Sequence, residues 1–229
     1  MKITYIVITC EPYLKTRAEL VNQTWRKFVN CNDEFYFLSS IAVPEKNILG
    51  YGDPDDYKSA ALKKISFFKN NNFNSDWIFI CDDDTFVFPD RLRKLLSEYN
   101  AAEEICVCEY TQFCSACRRT KFKIDFAYNY PNGGAGIAIS NPLFYKYKNY
   151  LNSIKNPKYT PYTENGDITM GLWSRLMKFE NFVDRHELLS HYNPDHPKHK
   201  NTDLKQIVTM HHCNEKHFEM LHSVLTNTS

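Results

Sequence analysis

Three consecutive carboxylates, Asp82-Asp83-Asp84, follow directly on the apolar run Trp77-Ile78-Phe79-Ile80-Cys81. A run of that kind reads as a strand buried on both faces. Aspartates crowded at its end repel one another and resist desolvation unless a cation sits among them. Hard oxygen ligands suit Mg²⁺ or Mn²⁺, and in open α/β sheets ligands gather outside the carboxyl ends of strands. In an extended segment Asp82 and Asp84 face the same side. The pair therefore predicts one octahedral metal whose shell is completed by a diphosphate. The alternative is a solvated turn whose aspartates cap the helix that follows.

Three further groups could join that chemistry. Gly133-Gly134-Ala135-Gly136 precedes an apolar run and lacks the spacing of a dinucleotide fingerprint. Its glycines permit unusual backbone angles and close approach of a substrate, or they simply make a tight turn. Asp167 opens a helical pattern; it either caps that helix, as Glu164 also could, or takes a proton from an acceptor hydroxyl. His191, His211 and His212 could each supply a nitrogen ligand. The eight cysteines are scattered. Cys114-x-x-Cys117, with Cys106 and Cys108 just upstream, could hold zinc, but the one-residue gap in Cys106-x-Cys108 is wrong for a paired knuckle, and free thiols or a local disulfide are expected instead.

Strands and helices must position these residues. Residues 3–9 read as a first strand, and Thr16-Arg17-Ala18-Glu19 as a capping box opening a helix with Ala18, Val21 and Trp25 at helical spacing. Phe35–Leu38 forms a short second strand, 47–56 a loop, and 57–70 a helix with Ala61, Ile65 and Phe68 on one face. After the aspartates, Pro89 starts a helix carrying Leu92, Leu95, Leu96 and Tyr99 at i, i+3, i+4 and i+7. This alternation predicts an α/β fold with a mainly parallel sheet. Strands at 105–108 and 137–140 and a helix with Ile168, Leu172 and Leu176 follow. Residues 111–130 and the histidine-rich tail from Leu188 carry no clear pattern.

Composition narrows the class. The chain has 229 residues, 43% apolar and 15% aromatic, enough for one large core or two modest ones. Its formal charge of +1 points to no nucleic-acid partner. No stretch approaches the ~18–20 apolar residues of a membrane span, and the N-terminal run is too short for a secretory signal. The expectation is a soluble protein in a cytoplasm-like compartment, or a Golgi-lumen or virion-associated one whose targeting segment is absent from this sequence.

Taken together, Trp77-x-x-x-Cys-Asp-Asp-Asp-Thr-Phe-Val, then Gly133-Gly134-Ala135-Gly136-x-x-x-Ser140, then Gly166-Asp167-Ile168-Thr169-Met170-Gly171 resemble Fringe-like and core 1 β1,3-galactosyltransferase-like enzymes in order and spacing. Thr9, Arg17 and Gln23-Thr24-Trp25 resemble the start of that domain, and the likeness runs from about residue 3 to 215. It implies a GT-A-type, Rossmann-like single domain over 1–229 with a mixed, mainly parallel central sheet. A nucleotide-binding half would span about 1–100 and an acceptor-binding half about 101–229. It further implies an inverting β-1,3 transfer of a hexose or N-acetylhexosamine from a UDP-sugar to a glycan or glycoprotein hydroxyl, with Mn²⁺ or Mg²⁺. By position, Asp84 would be the principal metal ligand, and Asp82 would contact metal or ribose. Thr9 and Arg17 would line the UDP pocket, and Asp83, Gly134 and Ala135 would join the nucleotide-sugar contacts. Gly133 to Gly136 would also shape the acceptor side. Asp167 would be the base. His211 matches the core 1 enzymes' histidine ligand, whereas Fringe-type enzymes place theirs nearer His191. In one departure, the carboxylate that usually precedes the base is Gly166 here.

Two rivals stand beside this reading. An Asp-x-Asp phosphatase loop needs Thr or Val four residues after its first Asp, where this chain has Phe86. A nucleotide-sugar or glycan-binding module without turnover would not need Asp167.

Overall fold

Alternating apolar residues in Ile3–Ile8 (β1) bury both of its faces, and the central sheet grows outward from it. The computed structural model describes residues 1–56, 59–112, 129–163 and 165–227. The remaining strands are β2 (Glu34–Ser39), β3 (Ile48–Gly50), β4 (Trp77–Asp82), β5 (Phe86–Val87), β6 (Cys106–Cys108), β7 (Tyr110–Gln112), β8 (Asn129–Pro131), β9 (Ile137–Ser140), β10 (Phe182–Asp184), β11 (Leu189–Ser190) and β12 (Thr209–Met210). The helices are α1 (Arg17–Gln23), α2 (Ala60–Asn70), α3 (Pro89–Leu96), α4 (Asn141–Ser153), α5 (Gly166–Leu176) and α6 (Glu215–Thr226).

Seven strands form the main sheet in the order β10-β6-β9-β4-β1-β2-β3. Every pairing in it is parallel except those that β9 makes with β4 and β6. This is the mixed, mainly parallel α/β architecture that the alternation of elements predicts. Because side chains alternate across a strand, Tyr5, Val7, Trp77 and Phe79 enter one core with residues of α1, α3 and α6. Ile6, Ile78 and Ile80 enter a second core with α2, α4 and α5. Strand β4 is at most 1% exposed from Trp77 to Cys81, so its polar end is an abrupt exit from a dry interior.

Reversal of β9 decides where the chemistry gathers. Ile80 pairs with Ile137 in antiparallel register, which sets the outgoing end of β4 beside the incoming end of β9. The acidic triplet and the glycine run therefore meet at one edge of the sheet. His191 and His211 directly follow β11 and β12 of the small sheet β11-β12-β5, whose Thr209 bonds the glycine turn at the Ala135 carbonyl.

Several expectations need correcting. Thr16 does stand at the N-cap of α1, but its side chain makes no cap bond, so the capping box is not formed. Helix α1 ends at Gln23, and Trp25 begins a 3₁₀ turn. Residues 47–56 are not wholly loop, since Ile48–Gly50 adds the parallel edge strand β3 through Phe37↔Ile48. Asn165, not Asp167, caps α5, accepting from the amides of Asp167 and Ile168. The tail holds strands and the capped helix α6, whose Asn214 and His217 form a capping box that the pattern does not announce. Cys114, Cys117 and Glu164 lie outside the described residues; Cys106 and Cys108 are buried free thiols. Among the described residues no helix is long and apolar enough to cross a membrane.

Candidate active site

Strand β4 ends at Asp82, and a turn closed by Thr85 N–H on the Asp82 carbonyl fans the three carboxylates apart. Asp83 turns inward. It is 4% exposed, accepts from Thr9 Oγ1 at 2.6 Å and pairs with Arg17 Nη1 at 3.2 Å. Burial raises its pKa, while the Thr9 hydrogen bond and the Arg17 charge pull back. Asp83 thus ties the acidic turn to the end of β1 and the start of α1. Arg17 also reaches Asp84 Oδ2 at 3.4 Å and stacks on Tyr13, 4.3 Å from its ring centre.

Asp82 and Asp84 face the other way, toward His211. Nε2 of His211 lies 3.0 Å from Asp84 Oδ1 and 3.6 Å from Asp82 Oδ2. Burial, then the charge of Asp167, pushes Asp82 up to about 6 against the pull of His211 and Lys64. Its side chain keeps 42% exposure toward the cleft, so water tempers that rise. Burial works against Asp84 too, but the hydrogen bond and charge of His211, with Arg17 behind them, hold it below the usual carboxylate range. Burial likewise opposes charge on His211, yet its contacts with Asp84 and Asp82 carry it above the ordinary imidazole value. The three groups therefore titrate as one set.

His211 is seated from two sides. Its Nδ1 stands 3.3 Å from Nδ1 of His191, and burial, followed by the charges of His211 and His212, drops His191 to about 4. On the other side lies Gly134. A Cβ there would sit 2.7 Å from His211 Nε2 and closer still to its Cε1 and Nδ1. Only a residue without a side chain lets the backbone pass so near. Gly133 does the same for Asp167, whose Cγ would lie 2.7 Å from an added Cβ. Thr85 Oγ1 donates to the Gly134 carbonyl at 2.8 Å, and the Thr209 hydroxyl donates to that of Ala135, so both neighbouring elements clamp the turn. Ala135 itself is fully buried.

Asp167 projects from the first turn of α5, where the helix dipole favours a carboxylate. Gly133 N–H donates to its Oδ2 at 2.9 Å, and Lys64 Nζ donates to its Oδ1 at 2.6 Å. The Lys64 side chain is only 3% exposed. The sequence pattern alone does not single out this lysine, although it lies three residues after Ala61 and four before Phe68, on the buried stripe of α2. A lysine inside an apolar stripe is the available signal. Gly166 makes room for it, since a Cβ there would come within 3.1 Å of the lysine's terminal carbons and nitrogen.

The donor atoms of Asp82, Asp84 and His211 all lie within 4.8 Å of one another. Two carboxylate oxygens with one imidazole nitrogen suit Mn²⁺, which accepts both kinds of donor. The glycine cradle holds the imidazole toward the aspartates, so these residues fit a divalent ion.

Helices packed on both faces of a mixed, mainly parallel sheet, with an acidic exit from its central strand, give the chain a fold of the GT-A type. The fold is similar to that of the apo glycosyltransferase GlyE from Streptococcus pneumoniae TIGR4, with a TM-score of 0.54 at 12% identity, covering 100% of this chain and 63% of that one. The Fringe-like family profile matches residues 1–194, and the chain belongs to the Fringe-like family. It is 28% identical over 176 residues to glycoprotein-N-acetylgalactosamine 3-beta-galactosyltransferase 1 of Xenopus laevis, covering 75% of this chain and 44% of that protein. It is 25% identical over 143 residues to a beta-1,3-glucosyltransferase of Mus musculus, covering 61% of this chain and 27% of that protein. The matched segment covers less than half the length of each of these relatives.

Proposed function

We propose that this chain is a metal-dependent, inverting glycosyltransferase domain that moves a hexose or N-acetylhexosamine from a UDP-sugar to a hydroxyl of a glycan or glycoprotein, forming a β-1,3 bond. The observation that carries the reading is the convergence of Asp82, Asp84 and His211, with Asp167 close enough for its charge to raise Asp82. The relatives named for β-1,3 transfer support the linkage. Residues 1–229 act as one domain, about 1–100 serving the nucleotide and about 101–229 the acceptor.

Asp82, Asp84 and His211 would hold Mn²⁺, which when bound neutralises the diphosphate and eases its departure. Arg17, half-exposed beside Asp84, presents a guanidinium that can pair with phosphate oxygens. Thr9 and Asp83 fix the floor on which the nucleotide half of the donor rests. Asp167 takes the proton of the acceptor hydroxyl. A carboxylate offers about four acceptor positions; Lys64 and Gly133 N–H fill two of them and leave the others for the substrate. Attack from the side of Asp167, opposite the leaving diphosphate, inverts the anomeric carbon. Lys64 and Gly133 aim the carboxylate before substrate arrives, which lowers the reorganisation the reaction requires.

A screen of UDP-sugars for hydrolysis and transfer, followed by the Asp167→Asn variant, tests this. Transfer should fall roughly 10²–10⁴-fold in the variant while calorimetric UDP binding in Mn²⁺ stays intact. Wild-type turnover in the variant would remove Asp167 from its role. No UDP binding by the native chain with any divalent ion would sink the whole reading.

A further inference from the structure

We propose a second metal site, built from His191, His211 and His212, that takes a borderline divalent transition ion such as Zn²⁺ and competes with the aspartate site for His211. The nitrogen donors of these three side chains lie within 4.8 Å of one another, a cluster separate from Asp82, Asp84 and His211 except for the imidazole they share. The rings of His191 and His211 are 5.0 Å apart, those of His191 and His212 4.9 Å, and those of His211 and His212 3.8 Å and nearly parallel. Zinc would draw the three nitrogens in to ~2.0–2.1 Å of the ion, with the rings of His211 and His212 turning out of their stack.

A second observation singles out His212. Its φ is +54°, one of the few left-handed non-glycine residues in the described chain. That conformation is unusual for a histidine and has a local energetic cost. Here it folds the ring back over His211 rather than out along the strand direction. The side chain is 53% exposed, so it is open to an incoming ion. Nothing in the proposed transfer calls for a third imidazole or for this backbone.

Ligand chemistry separates the two sites. Two carboxylates and one nitrogen are serviceable for Mn²⁺, whereas three imidazoles favour Zn²⁺, Cu²⁺ or Ni²⁺. His211 turns Nε2 to the aspartates and Nδ1 to His191. Serving two ions at once would require it to lose both ring protons, so the chain holds one ion or the other. Zn²⁺ bound by the histidines withdraws His211 from the aspartates and switches transfer off. The site itself does not depend on the transferase reading.

The test uses the full chain with Asp82→Asn and Asp84→Asn, which disables the aspartate site, its folding checked by circular dichroism and melting. Co²⁺ should bind with the visible bands of a nitrogen-rich, low-coordinate site and be displaced by Zn²⁺. Adding His191→Ala, or His212→Asn, which tolerates positive φ, should weaken that binding ~10–100-fold. Absence of Co²⁺ and Zn²⁺ binding, or binding indifferent to both histidine changes, overturns the proposal. Should the double variant not fold, direct Zn²⁺ titration of the native chain against His212→Asn decides. A ~10-fold weaker affinity upholds the site, and equal affinity overturns it. Failure of the native chain to bind UDP with Mn²⁺ would count against the transferase reading and leave these outcomes untouched.

Discussion

Two turns meet at the edge of the sheet where β4 leaves and β9 enters, and they contribute in opposite ways. The acidic turn, 82–85, supplies side chains: Asp83 as an anchor, Asp82 and Asp84 as the proposed metal ligands, Thr85 as a clamp. The glycine turn, 133–136, contributes through missing side chains, letting Asp167 and His211 approach the backbone. A site of this density needs both. Charged groups have to converge, and something has to make room for them at hydrogen-bond distance.

The comparison breaks if only the acidic turn matters. Asp84→Asn should produce the largest loss among these turn variants, roughly 10²-fold or more in transfer, with Mn²⁺-dependent UDP binding lost in calorimetry and the melting temperature lowered at pH 7. His211 and Arg17 stabilise the ionised Asp84, so removing its charge removes a contribution to the fold. An unchanged melting temperature would show that these contacts add nothing to stability.

Gly134→Ala carries the sharper test, because it replaces none of the proposed ligands. The added methyl displaces His211, so Mn²⁺ affinity should fall ~10–100-fold, as when a ligand's orienting neighbours are lost. Stability should drop by about 1–3 kcal/mol from overpacking. Wild-type Mn²⁺ affinity would reduce the glycine turn to an ordinary bend. Gly133→Ala should instead lower kcat through Asp167 and leave the KM for the UDP-sugar nearly unchanged.

Gly136 supplies the contrast within the same turn. Its φ is +96°, and an added Cβ would meet the Phe79 ring at 2.5 Å, on the core side. Gly136→Ala should cost about 1–3 kcal/mol of stability while metal affinity per folded molecule holds. A selective loss of metal binding there would erase the distinction.

The smallest effect is a pH dependence. Asp82 is raised to about 6, so between its unfolded value and about 6 the folded, metal-free chain binds more protons than the unfolded one. By linkage its contribution to stability falls as pH rises through that window. Asp84 is depressed and contributes the opposite slope, its stabilisation present above the unfolded value and lost toward lower pH. Mn²⁺ must displace the protons on Asp82 and His211, so the melting-temperature gain from added Mn²⁺ should be larger at pH 7 than at pH 5. An equal gain at both would separate the ion from these two groups.

Much of the frame is legible in the amino-acid order. The apolar periods of β1, β4, α2 and α3 are strong because each faces a core on fixed spacing, and the abrupt change at Asp82 marks a strand end whatever surrounds it. The edge strand β3 escapes such a reading because a three-residue segment that runs into glycines and aspartates carries almost no period. Helix α6 is hidden among histidines, one of which, His217, spends its side chain on the cap.

Residue types and order along the chain are enough to make Asp82, Asp84 and Asp167 candidates, since crowded carboxylates carry their chemistry wherever they lie, but they leave His191, His211 and His212 level, and only the family resemblance leans toward His211. Whether His191 touches His211, that Lys64 reaches Asp167 across 103 positions, and that Gly133 and Gly134 are cradles rather than a bend belong to tertiary structure. Those contacts depend on the reversed β9 and on the small sheet above it, and long-range register of that kind has no local signal in sequence.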